Sequence, residues 1–91
     1  MLLDEIIKEL HLLAPPEYQE AYDNSRLLYK SSKQELDAVL VCLDVREEII
    51  DEAISKGAGL VISHHPLIFS GLKSLTGKNE VERAFIKAVK N

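Results

Sequence analysis

Among the 91 residues, the side chains best suited to chemistry stand together in Ser63-His64-His65-Pro66. Neutral imidazole is a good ligand for zinc, iron, nickel or copper, and for manganese in a mixed site with carboxylates. Successive side chains on an extended chain point opposite ways. Two adjacent histidines therefore suit a pair of nearby metals, one each, or a sharply turned loop. Pro66 restricts His65 to extended or polyproline geometry and so fixes how the pair is presented. The same dipeptide also reads as two capping or surface histidines that do no chemistry. A complete catalytic metal site takes about three protein ligands, and a two-metal site more, with bridging carboxylates. The pair is thus part of a set. No serine is tied by spacing to a base and an acid, so no nucleophilic triad can be argued.

Asp44 ends the apolar run Asp37-Ala-Val-Leu-Val-Cys-Leu-Asp44 and has two readings. One is the N-cap of the helix that follows; the other is a carboxylate that orients a histidine at the same sheet rim. His11 lies among charged neighbours on the first helix and reads as a solvated side chain. Cys42 sits within a buried run, where thiols are usually inert packing. The loop from Ser70 to Asn79 invites comparison with a phosphate-binding loop and departs from it twice. Five residues separate Gly71 from Gly77, and Asn79 follows Lys78 where a Ser or Thr would stand. Lys73, Lys78 and nearby hydroxyls beside a helix start could attract an anion, but the loop reads more simply as solvated.

These residues need elements to hold them. Leu3, Ile6, Ile7, Leu10 and Leu13 follow helical spacing, and Pro15-Pro16 stop that helix by Ala14. A short strand is allowed around Leu27–Tyr29. The run 37–44 predicts a strand buried on both faces. A helix follows, with Val45, Ile49 and Ala53 on one face and Ile50 and Ile54 beside it. Asp44 stands as its cap, Glu47 as the capping-box partner and Gly57 as its left-handed stop. Leu60–Ser63 predicts a second strand. Strand, helix and strand with short connections make a parallel pair joined by a crossover. The histidines would then stand at its carboxyl rim, where open α/β sheets place ligands. A last helix begins near Asn79, with Val81, Phe85 and Val89 on one face and Lys87 and Lys90 near its end. The class is α/β: residues 1–91 as one unit with a small parallel sheet and flanking helices. Such a sheet needs cover on both faces, which three helices do not supply. The expectation is the opening part of a larger domain, or a unit that associates with further copies.

Composition narrows the class of function. Apolar residues make up 46% and charged ones 29%, the balance of a folded chain. Eleven basic against fifteen acidic residues give a net charge of −4, so neither nucleic acid nor a membrane surface is an expected partner. One cysteine excludes an internal disulfide and fits a reducing compartment. Asp4 and Glu5 stand where a signal peptide would be positively charged, and no apolar run approaches a membrane span. The expected location is cytoplasmic.

Three segments resemble one known family: Val-Leu-Val-Cys-Leu-Asp44, then Asp51-Glu-Ala-Ile-Ser-Lys-Gly-Ala-Gly-Leu-Val-Ile-Ser-His-His-Pro-Leu-Ile-Phe69, then Leu72-Lys-Ser-Leu-Thr-Gly77. They look like the Ngg-interacting-factor-three-like family, whose bacterial members are commonly named GTP cyclohydrolase 1 type 2 homologues. Glu17-Tyr-Gln-Glu-Ala-Tyr-Asp-Asn24 resembles its amino-terminal segment. The resemblance implies a dinuclear divalent-metal centre in a toroidal homo-oligomer, with His64 and His65 directed one to each metal. Zinc, iron and manganese are not distinguished, and a small-molecule substrate would be hydrolysed. The family's other ligands, an aspartate in a following segment and a His/Glu pair near its carboxyl terminus, have no counterpart in these residues. The implied role is the amino-terminal portion of a hydrolase-like protein, not catalytically competent alone. The rival role is a non-catalytic binding or assembly module. The family's Trp-Asp-Asn-x-Gly-Leu appears as Tyr22-Asp-Asn-Ser-Arg-Leu27, so Arg26 stands in place of a glycine.

Overall fold

The computed structural model describes residues 1–19, 24, 26–69 and 71–91. Two four-residue strands, β1 (Val39–Cys42) and β2 (Leu60–Ser63), pair in parallel, with Val39 opposite Leu60 and Cys42 opposite Ser63. The helix between them, α2 (Glu47–Ser55), makes the crossover; α1 (Leu3–Leu13) precedes the sheet and α3 (Glu80–Lys90) follows it. The α/β class and the strand–helix–strand unit are as the sequence predicts.

Helix boundaries follow local chemistry. The Ala14 amide makes the last bond of α1 to Leu10 O before Pro15 and Pro16 end it, and Pro16–Tyr18 form one 3₁₀ turn. α2 closes in a full Schellman arrangement: Ala58 N–H donates to Ala53 O at 2.8 Å and Gly57 N–H to Ile54 O at 3.1 Å. Gly57 takes φ +72°, which a side chain would resist. α3 starts where Asn79 caps it, its side-chain oxygen accepting the Glu82 amide at 2.9 Å.

The core is small: Leu3, Leu36, Ile50, Ala53 and Ala84 are its buried apolar residues. α2 packs on α3 and on both strands. Leu36 is seated there because Gly59 has no side chain, since a Cβ at that position would stand 2.7 Å from Leu36 Cδ2. The strand allowed at Leu27–Tyr29 does not form. That stretch runs as irregular chain, and the extended contact falls later, where Leu3 N–H donates to Gln34 O and Leu36 N–H to Met1 O. Tyr29 instead lays its ring edge-on to Phe85, with centroids 5.7 Å apart.

Two expectations about the sheet and α2 are corrected. β1 is not buried on both faces: Val41 is 72% exposed, and Leu43 beyond it is exposed too. Alternate residues point to opposite faces, and α2 covers only one of them. Nor does Asp44 cap α2. Val45 and Arg46 intervene, Arg46 is the extended residue before the helix, and no side chain of its own segment caps it. The Glu47 amide is taken by Glu80 Oε1 from α3 at 2.7 Å. Asp44 is therefore released for another partner.

Candidate functional site at the carboxyl rim of the sheet

The parallel ladder continues one step past β1 and β2, and that step positions the histidines. His64 N–H donates to Cys42 O at 3.1 Å and His65 N–H to Leu43 O at 2.9 Å. The chain bends there, and Ser63 Oγ donates to the His65 carbonyl at 2.7 Å across the bend. The two imidazoles consequently lie beside each other, with ring centroids 4.7 Å apart at an interplanar angle of 63°. The chain is turned at the pair, which brings the two rings together. The loop is fixed again downstream, where Asn24 Nδ2 donates to Ile68 O at 2.6 Å.

Asp44 stands at the same rim, its Oδ1 2.7 Å from His65 Nδ1. Both side chains are more than half exposed, 55% for Asp44 and 61% for His65. The carboxylate fits a metal-bound histidine, because ligating imidazoles commonly donate their second nitrogen to a carboxylate. His64 and His65 are the two imidazoles at this rim. Among the described residues no group of three or more His, Cys, Asp or Glu side chains converges as a metal cage. The donors present fit a divalent metal in kind and fall short of a shell in number.

The other candidates separate cleanly. His11 is exposed on α1, far along the chain from the rim. Burial first, then the charges of Asp44 and Glu52, push the Cys42 thiol above its ordinary value. It stays protonated and poorly nucleophilic at neutral pH. The anion-attracting loop before α3 is already filled. Glu82, only 3% exposed, turns back so that Oε1 accepts the amides of Thr76, Gly77 and Lys78 at 3.0, 3.2 and 3.4 Å. Those amides, Thr76 foremost, hold the Glu82 carboxyl below the usual glutamate range despite its burial.

A shallow depression of about 490 Å³ lined by Arg46, Glu47, Glu48, Asp51 and Glu80 includes neither histidine. Glu47 pairs there with Arg83 and Lys87, and Asp51 with Lys87. Sequence reasoning missed Glu82 and the supporting bonds of Ser63 and Asn24. Asn24 had a signal, since it lies in the resemblance motif 22–27. Of that motif, Tyr22, Asp23 and Ser25 lie outside the described residues. Arg26 is exposed, and its backbone is not in the left-handed region, so the missing glycine causes no strain there.

A parallel strand pair whose rim carries a bent His-His dipeptide defines part of an α/β domain with a polar, histidine-bearing edge. The chain belongs to the Duf34/NIF3 (NGG1p interacting factor 3) family, whose model matches residues 1–91. It is 46% identical over 87 residues to a GTP cyclohydrolase 1 type 2 homolog of Campylobacter jejuni, covering 96% of this chain and 35% of that protein. A Clostridium perfringens protein of the same name is 34% identical over 91 residues, again across 35% of its length. Staphylococcus aureus protein SA1388 superimposes with a TM-score of 0.90 at 36% identity, covering 99% of this chain and 26% of that one. A Bacillus cereus protein related to NIF3 does so with a TM-score of 0.90 at 33% identity, over 25% of its chain. The present chain thus spans about a third of these curated relatives and about a quarter of the solved chains.

Proposed function

We propose that this chain forms the amino-terminal part of a divalent-metal-binding, hydrolase-like protein, in which His64 and His65 each give one imidazole to a metal. The observation that carries the reading is the pair of exposed rings, 4.7 Å apart, on a bend at the carboxyl rim of a parallel sheet. The names of the Campylobacter and Clostridium relatives support a hydrolytic, ring-opening chemistry on a small molecule. Zinc, iron and manganese all suit imidazole with carboxylate donors. A bound divalent ion supplies an acidified water and polarises the substrate.

The residues of this chain hold and orient. The ladder bonds of His64 and His65 fix the backbone, and the Ser63 hydroxyl fixes the bend. With two imidazoles and no third converging ligand among the described residues, the chain alone binds metal weakly and does not turn over substrate. The reading is tested by loading the chain with zinc or manganese, removing free ion and measuring bound metal, followed by calorimetric titration. Affinity that falls strongly in His64→Ala and His65→Ala supports it; unchanged binding in both variants removes these histidines from the site.

One observation favours a second reading alongside the first. The outer face of β1, with Val41 72% exposed and Leu43 beyond it, is an apolar surface characteristic of an assembly interface. Homo-oligomerisation would cover it. Light scattering that shows a monomer at high micromolar concentration, with a melt independent of concentration, would exclude that role. The lone cysteine suits a cytoplasmic setting, and no helix of the described residues is long and apolar enough to cross a membrane.

A further inference from the structure

We infer that Asp44 is a positioning residue that sets the tautomer of His65, so that the two histidines are unequal: His65 offers Nε2 as a pre-set donor, and His64 does not. The inference deepens the metal-centre reading and rests on it only for the affinity arm of its test.

An ionised carboxylate can only accept hydrogen bonds. With Asp44 Oδ1 2.7 Å from His65 Nδ1, the hydrogen lies on Nδ1 and donates to the carboxylate. In the neutral ring the lone pair is then on Nε2, directed away from Asp44. Free histidine side chains favour the opposite tautomer, so the contact reverses an intrinsic preference. Among the described residues no hydrogen bond holds the His64 ring, whose ring contact is the edge of His65.

The backbone makes this arrangement difficult to escape. The His65 amide is bonded to the carbonyl of Leu43, the residue immediately before Asp44. Ligand and carboxylate are thus tied to the same peptide step, and the Ser63 hydroxyl holds the His65 carbonyl. A structural explanation for the contact is poor, because a polar pair this exposed contributes little to stability. The helix-cap explanation is absent as well, since Glu80 takes the first α2 amide.

The test is ¹⁵N–¹H correlation spectroscopy of both imidazoles in the 91-residue chain, recorded with rising pH until the ring signals stop changing. His65 is expected in the Nδ1–H form and His64 mainly in the Nε2–H form. Asp44→Ala should return His65 to the pattern of His64, with unchanged circular dichroism. An Nε2–H His65 in the parent chain, or one indifferent to Asp44→Ala, overturns the inference. In zinc titrations Asp44→Ala should weaken binding roughly 10–100-fold. It should add little to the loss already caused by His65→Ala. If the tautomer responds to Asp44→Ala while neither Asp44→Ala nor His65→Ala changes zinc affinity, the positioning inference stands and the metal reading fails at His65. If His65→Ala abolishes binding while Asp44→Ala alters neither tautomer nor affinity, the metal reading stands and the inference falls.

Discussion

The sheet rim and the loop before α3 are built from similar parts and end in opposite states. Each gathers polar groups at the end of a backbone element, and each contains one carboxylate that accepts hydrogen bonds there. At the loop, Glu82 collects three amides within its own segment and is nearly sealed from water. At the rim, Asp44 takes one nitrogen of His65, and both side chains remain more than half exposed. A carboxylate that satisfies its surroundings stabilises the fold. A carboxylate that leaves an imidazole nitrogen free keeps a donor available, which is what the proposed metal reading requires.

Removing the closed carboxylate should have the largest effect. Glu82→Ala leaves the Thr76, Gly77 and Lys78 amides without their acceptor and should lower Tm by on the order of 10 °C. Amide exchange should accelerate at those three residues first. A melt within a degree or two of the parent would mean that water replaces the carboxylate freely, and the contrast with the rim would disappear.

Acid should act through the same group. Glu82 and Glu47 both have carboxyls held below the usual glutamate range, Glu82 by loop amides and Glu47 by Lys87 and then Arg83. A depressed folded-state pKa gives stability that is present above the unfolded value and lost as pH falls through the folded one. The chain should therefore hold its Tm down to the ordinary glutamate range and lose it progressively as pH falls further, less steeply in Glu82→Gln. Lys87 is shifted the other way, upward, chiefly by Asp51 and then Glu47. Its contribution is complete below the unfolded lysine value and is lost as pH rises through the folded one. A pH–Tm profile of parent, Glu82→Gln and Lys87→Met separates the two limbs.

Asn79→Ala removes the cap of α3 and should cost about 1 kcal/mol, read from urea midpoints at constant m. The smallest effects belong to the rim. His64→Ala and Asp44→Ala should each change stability by no more than about 0.5 kcal/mol. A larger loss in either would make the rim a structural element and weaken its claim to be a site.

Much of this was legible in the residues because periodicity and punctuation agree locally. The α1 stripe ending at Pro15-Pro16, the Asn79 cap and the Gly57 stop involve neighbours within a few positions. Contacts that depend on distant partners were not legible. The run 37–44 is apolar enough for a strand covered on both sides, but Val41 meets no cover among the described residues, because covering depends on what packs there. Asp44 at a strand end looks like a cap until Glu80, far along the chain, is found in that role. The histidine pair and its rim position followed from strand order. The 2.7 Å contact that distinguishes its two members did not, since nothing in the spacing of residues 44 and 65 specifies a hydrogen bond.

The bond from the Glu47 amide to Glu80 Oε1 spans 33 positions and bears on the order of events in folding. A helix start left without an acceptor frays, so the first turn of α2 forms lastingly only after α3 has docked. During synthesis the ribosome must release the segment containing Glu80 before α2 can close its amino end. Until then the crossover exists without a firm beginning, although α2 already packs on both strands. The Glu47 amide is accordingly a clock for docking: its protection from exchange should appear with that of α3 and later than that of the strands.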